Sequence, residues 1–225
     1  MCGRFSLTLA RRLEVEETLG VRLPEGLRPR YNVAPTQEVL ALVHDPDGLK
    51  LERFRWGLVP AWASDHPSSG RRLINARAET LFARPSFREA ARRRRCLILA
   101  DGFYEWQRRP DGRKIPFYVR LKGGRPFGMA GVWEARTCAV VTVEAHERVK
   151  PVHDRMPAIF PLTQREWIER WLDPDARPAE LLGLLLRLPT LPQLGAELEL
   201  YPVSRRVNRA DVDDPSCVRP LSRTR

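Results

Sequence analysis

Cysteine is scarce in this 225-residue chain, and its copies stand far apart, at positions 2, 96, 138 and 217. No C-x-x-C pair and no Cys–His spacing of a zinc site occurs, which argues against a structural metal. Long apolar runs are missing, so no membrane-spanning helix is expected. The opening residues, MCGRFSLTLA, lack the basic stretch and long apolar core of a secretory signal, so a cytoplasmic location is expected. Internal repeats and a dividing linker are absent as well, and the length suits one sizeable domain. Lysine is almost missing. It occurs only at positions 50, 114, 122 and 150, so arginine supplies nearly all of the 39 cationic residues.

What is present is a formal net charge of +11 on a chain that is 43% hydrophobic and 30% charged. The core-forming fraction is that of an ordinary globular domain. The positive balance favours a polyanionic partner, and the arginine fork suits phosphate and stacks on bases. A genome that prefers arginine codons would give the same composition, so charge alone leaves the partner open.

Strand-like stretches occur at 38–44, 50–59, 73–78, 95–107, 115–122, 127–134, 137–144, 156–160 and 197–203. Helical spacing occurs at 8–19, 86–93, 163–172 and 178–187, with Thr8 as a cap for the first and Thr163 with Glu166 as a capping box for the third. Segments 21–37 and 61–72 read as loops. Strands outnumber helices and do not alternate with them. This predicts an α+β single domain on a mostly antiparallel or mixed β-sheet with peripheral helices. Residues 1–208 form that domain, and 209–225 read as a polar, loosely held C-terminal tail. Cys96 and Cys138 lie in apolar runs and read as core thiols, while Cys217 falls in the polar tail.

Cys2 is the unusual cysteine. Aminopeptidases remove Met1 when a small residue follows, and the chain would then begin with a free 1,2-aminothiol. Such an amine condenses with an aldehyde to an imine, and the neighbouring thiol closes onto the imine carbon as a thiazolidine. An α-amine titrates at about 7.7–8.0, so part of it is neutral near pH 7. Ring closure is intramolecular and correspondingly fast.

Polar residues among aromatics recur along the chain. In Ile74-Asn75-Ala76-Arg77-Ala78-Glu79, an extended backbone puts Asn75, Arg77 and Glu79 on one face. In Asp101-Gly102-Phe103-Tyr104-Glu105-Trp106, apolar neighbours raise the carboxyl of Glu105 and make it a candidate acid or base. His153 stands near a basic group, Arg155, in HDRMP. Each has a plainer alternative. Glu105 could be a core carboxylate paired with an arginine, Asn75 a turn residue, and His153, like His44, His66 and His146, a surface histidine. Trp56 and Trp106 suit the core. The run Arg92–Arg95 suits a solvated helix end or a DNA backbone.

Seven stretches occur in order: MCGRF at 1–5, RYNVAPTQ at 30–37, WGLVPAW at 56–62, INARAET at 74–80, DGFYEW at 101–106, HDRMP at 153–157 and PVSRRVN at 202–208. Together they resemble the SRAP family, the SOS-response-associated peptidases or abasic-site processing proteins. The resemblance implies capture of abasic sites in single-stranded DNA through a thiazolidine at Cys2, protecting them during the DNA damage response. It implies catalytic roles for Cys2, Asn75, Glu105 and His153: proton transfer by Glu105 and His153, and orientation by Asn75. It implies DNA contacts from Arg4, Asn32, Pro35, Trp62, Arg77, Thr142, Arg155, Ser204 and Arg205. No cofactor and no metal is implied. The expected partner is single-stranded DNA with abasic sites, bound by a monomer that is nucleoid-associated on DNA, with no membrane. Lyase and autoproteolytic activities accompany the family name. Two other readings stay open: a thiol peptidase removing Met1 or cleaving other proteins, and a non-covalent single-strand-binding module.

Overall fold

The computed structural model describes residues 2–63 and 73–221. Met1, most of the 61–72 loop with His66, and the last four residues lie outside this range.

Among the described residues, thirteen strands and five α-helices follow one another. They are β1 (Arg4–Leu7), α1 (Arg12–Leu19), β2 (Arg30–Val33), β3 (Glu38–Asp45), β4 (Gly48–Trp56), β5 (Asn75–Arg77), α2 (Arg88–Arg93), β6 (Arg95–Ala100), β7 (Gly102–Arg108), β8 (Lys114–Leu121), β9 (Phe127–Glu134), β10 (Thr137–Glu144), β11 (Arg155–Pro157), β12 (Ile159–Pro161), α3 (Arg165–Leu172), α4 (Pro178–Arg187), α5 (Pro192–Glu197) and β13 (Leu198–Pro202). They make an α+β fold of two sheets with helices outside. One sheet is antiparallel in the order β13-β8-β7-β1-β2. In the other, β4, β3, β6, β9 and β10 pair in a closed ring, because β10 joins both β4 and β9. The β10–β4 and β10–β5 pairs are parallel and the remaining pairs antiparallel, so the sheet is mixed. The ring closes where Arg55 and Trp56 of β4 pair with Thr137 and Cys138 of β10.

The central strands β6, β9 and β10 are buried along almost their whole length, which is why they read as unbroken apolar runs. Phe5 and Trp56 join the two sheets, with ring centroids 5.2 Å apart. Cys96 and Cys138 are fully buried.

Several local expectations give way to tertiary contacts. The apolar stretch 95–107 is two strands, because Asp101 breaks it. The Asp101 carboxylate accepts from Ser6 Oγ (2.6 Å), Thr8 N (2.6 Å) and Thr8 Oγ1 (2.5 Å). Thr8 is therefore spent on Asp101 and does not cap α1, which starts later, at Arg12. The box expected of Thr163 and Glu166 does not form either, since α3 begins after Gln164 with no side-chain cap. Segment 30–33, expected as loop, is an edge strand. Its backbone N–H groups at Tyr31 and Asn32 donate to Asp213, which also accepts from Arg30 Nε at 2.5 Å. The segment 156–160 is two short strands flanking Ala158, and 192–197 is an unanticipated helix.

The C-terminal segment is not loose over its described part. Cys217 is fully buried beside Val203 and Val207, Tyr201 Oη donates to Val218 O, and Val203 bridges to Pro220. His146 is also buried, its ring packed against Gly195. In the Arg92–Arg95 run, Arg95 is buried and donates to the carbonyls of Ala91, Arg92, Trp171 and Asp173, which takes it away from solvent and DNA alike.

Gly102 opens β7 under the Tyr118 ring. A Cβ there would lie 2.1 Å from Tyr118 Cζ. Gly102→Ala is expected to cost about 1–3 kcal/mol by overpacking. Calorimetry reads this as a melting point lower by roughly 2–4 °C per kcal/mol. An unchanged melting point would contradict the close approach.

Candidate active site

Strand β1 pairs with β7 in the register Arg4↔Tyr104, so the start of the chain runs alongside Glu105. Strand β5 delivers Asn75, whose Nδ2 donates to Cys2 O at 2.8 Å. His153 comes from the turn before β11. That turn is tied to β7 by Gln107 Nε2 donating to Pro151 O at 2.9 Å. The loci of Cys2, Asn75, Glu105 and His153, some 150 residues apart along the chain, thus meet at one place. The cleft beside them is about 480 Å³ and is lined by Glu105, Trp106, Arg108, Lys114, His153 and Asn208 among others.

The electrostatics of these groups are unusual. Cys2 is fully buried, and its thiol is pushed far up, first by burial and then by the negative charge of Glu105. It stays protonated at neutral pH. Glu105 is 1% exposed, and burial pushes its carboxyl from 4.5 up to about 7, against the pull of the N-terminal positive charge. It can therefore give or take a proton near neutrality. His153 is pushed down by burial and by that same positive charge, so it is neutral at pH 7. Its Nδ1 accepts from the Arg155 N–H at 3.0 Å, which leaves the proton on Nε2. Asp154 Oδ1 also lies 2.9 Å from Nδ1, but that side chain is 86% exposed and competes with water, whereas the Arg155 N–H is fixed by the turn. His153 Nε2 and Glu105 Oε2 are 3.9 Å apart, beyond direct hydrogen-bond distance.

The raised carboxyl carries a stability consequence. A folded-state value above the unfolded one gives stability that is complete below about 4.5 and is lost as pH rises through about 7. Glu105→Gln is therefore expected to match the wild type at pH 4 and to unfold at higher denaturant at pH 8. The gain there is on the order of 3 kcal/mol. Equal midpoints at pH 8 would contradict a strained carboxylate.

The expected DNA-contacting residues divide into two groups. Trp62 is 65% exposed, Arg77 and Arg205 are exposed, and Pro35 is half-buried. Arg77 and Arg205 form no ion pair among the described residues. The other group is engaged internally. Asn32 is fully buried, and its Nδ2 donates to the carbonyls of Val207, Arg209 and Val212. Arg4 donates to Asn32 Oδ1 at 2.9 Å and to the carbonyls of Val207 and Asn208. These two hold the C-terminal segment against β1 and β2. Asn32 is closed off from solvent, while Arg4 stays half-buried. Ser204 Oγ caps the turn Arg205–Asn208. Thr142 is fully buried, and its carbonyl accepts from Arg155 Nη2 at 2.6 Å. Arg155 forks onto Glu79 at 2.6 and 3.0 Å. Trp56 is fully buried, while Trp106 is half-buried and lines the cleft. Asn208, passed over in the last motif, lines it too. Its signal in the sequence was only its place in PVSRRVN. Among the described residues no group of three His, Cys, Asp or Glu could hold a metal ion, and no helix is long and apolar enough to cross a membrane.

The sequence profile of the SOS response associated peptidase (SRAP) family matches residues 1–210. The chain is 38% identical to the abasic site processing protein YoqW of Bacillus subtilis, over 97% of this chain and 99% of that one. It is 32% identical to the abasic site processing protein HMCES of Gallus gallus, over 98% of this chain and 78% of that one. A crystal structure of a protein from Bacteroides thetaiotaomicron superposes with a TM-score of 0.80 at 27% identity, covering 98% of this chain and all of the other. The chain therefore belongs to the SRAP family.

Proposed function

We propose that this chain processes abasic sites by capturing them covalently in single-stranded DNA, with Cys2 as the N-terminal residue once Met1 is gone. The observation that carries the reading is a buried Cys2 thiol held in its protonated form beside a carboxyl, Glu105, that titrates at about 7. A thiol peptidase needs a thiolate, and burial beside an acidic group opposes one. An aminothiol does not need it.

The neutral amine of Cys2 adds to the aldehyde carbon of the ring-opened sugar. A N–C bond forms, and the carbonyl oxygen gains a proton. Glu105 in its acid form protonates the resulting hydroxyl, which leaves as water, giving the imine. The Cys2 sulfur then bonds to the imine carbon while the thiol proton passes to nitrogen. One water is lost overall. Neutral His153, 3.9 Å from Glu105, serves the proton transfers that a single carboxyl cannot complete. Asn75 holds the Cys2 carbonyl through Nδ2, and its buried Oδ1 has no hydrogen-bond partner among the described residues. That oxygen is free to accept from the Cys2 amine and direct its lone pair. Trp62, Arg77, Arg205 and Pro35 supply the outward surface for stacking and phosphate contact, so binding weakens steeply with salt.

The protein acts as a monomer associated with DNA, and an aminopeptidase removes Met1. Reversal of the adduct and any lyase step would use the same Glu105 and His153. The test is a denaturing gel with an oligonucleotide carrying an aldehydic abasic site. A retarded band is expected with that DNA and none with intact DNA or with Cys2→Ser. Absence of the band from protein with a free Cys2 amine overturns the covalent reading, and cleavage of unrelated peptides would restore the peptidase.

A further inference from the structure

The geometry points to a phosphate subsite on the β7–β8 hairpin, formed by Asn208, Arg108 and Lys114. It would grip the backbone phosphate next to the captured nucleotide. This rests on the proposed single-stranded DNA substrate.

Three observations converge on it. First, Trp106 Nε1 donates to Asn208 Oδ1 at 2.8 Å. An indole N–H can only donate, so the amide oxygen of Asn208 must face it, and the amide NH2 must point away. The Asn208 backbone is fixed as well, since its carbonyl accepts from Arg4 Nη2 at 3.1 Å. No acceptor for its NH2 exists among the described residues, and Asn208 lines the cleft that holds Glu105 and His153. Asn208 is exposed, so this oriented pair of donors faces the solvent in the cleft. Second, Arg108 and Lys114 line the same cleft and stand directly opposite each other across the hairpin. Like charges in that position repel. Neither forms an ion pair among the described residues, and both are exposed. Third, the alternation of β7 puts Arg108 on the Trp106 side, and β8 puts Lys114 opposite it, so cations and amide converge on one face. The acidic groups at the cleft are Glu105, buried and near neutrality, and Asp154, which lies against His153. A phosphate oxygen would take the place of solvent on the oriented amide and put a negative charge between two cations.

Binding of a single-stranded oligonucleotide with a tetrahydrofuran abasic analogue, which has no aldehyde, tests this apart from the covalent step. Asn208→Asp can keep the bond to Trp106 through one oxygen while replacing the NH2 with a second, anionic oxygen. It is expected to raise Kd about tenfold. Arg108→Ala and Lys114→Ala, both at exposed positions, are expected to weaken binding several-fold. Each should lower the slope of log Kd against log salt by about 1. A neutral methylphosphonate is then placed at each linkage flanking the analogue in turn. At one linkage the wild type should lose affinity and the Asn208→Asp defect should vanish. Unchanged binding by all three variants overturns the subsite, as does a defect that persists at every linkage. A wild-type protein that binds no single-stranded DNA overturns the DNA reading itself. A protein that binds as described but never crosslinks leaves the subsite standing and sinks only the Cys2 chemistry.

Discussion

Inserting one bulky residue between Met1 and Cys2, so that aminopeptidases leave the extension in place, is expected to reduce covalent capture to background. The Cys2 thiol is intact in such a variant. Only its amine has become an amide, which has no basic lone pair to add to an aldehyde. A thiol alone could give a hemithioacetal, but that adduct reverts and does not survive denaturation. The thiazolidine survives because nitrogen and sulfur bond the same carbon, and the second bond forms at a high effective concentration. The buried, protonated state of the Cys2 sulfur strengthens the argument, since a route that began with sulfur would face the cost of ionising it beside Glu105. Non-covalent binding of intact single-stranded DNA should change little. A crosslink that forms at the wild-type rate despite the extension would show that sulfur acts first.

The second large effect is on the pH profile. Glu105 is poised at about 7, with burial as the main cause. The acid form is needed to expel water from the first adduct, so the rate should fall as pH rises through about 7. The Cys2 α-amine must be neutral to attack, so the rate should also fall as pH drops below about 8, the ordinary range of such amines. Wild type should therefore show a bell centred between neutrality and pH 8. Glu105→Gln should lower the maximum by roughly two to four powers of ten and remove the alkaline limb. The rate of the variant should then only rise with pH, following the amine. A bell that survives in Glu105→Gln would assign the alkaline limb to another group, and His153→Gln would be the next variant to measure.

Much of the frame was legible along the chain. The runs that became β9, β10 and α4 have the expected boundaries because local pattern and burial agree there. The proposed site was legible through motif order alone, since Asn75, Glu105 and His153 each have a plain structural alternative when read singly, and only the fold brings them beside Cys2. What was hidden depended on partners far away in sequence. Strand β2 looked like loop because its edge is satisfied by Asp213, some 180 residues on. Thr8 looked like a cap because nothing local shows that Asp101 claims it. The anchoring role of Arg4 and Asn32 was hidden because a guanidinium or amide that binds phosphate is the same group that binds a backbone carbonyl. Only the fold shows that Val207, Asn208, Arg209 and Val212 take them. Asn208 was hidden for the converse reason, since its value comes from an indole that orients it.

Capture is a single covalent event at the amine and thiol of Cys2, which intact mass spectrometry reads without a label. Purified protein is weighed before and after incubation with single-stranded DNA carrying one aldehydic abasic site. The account predicts a protein lacking Met1, and then a product equal to that protein plus the oligonucleotide less one water, localised by peptide mapping to Cys2. A protein that lacks Met1 yet gains no DNA mass, or whose adduct maps to a lysine or to Cys217, would contradict it.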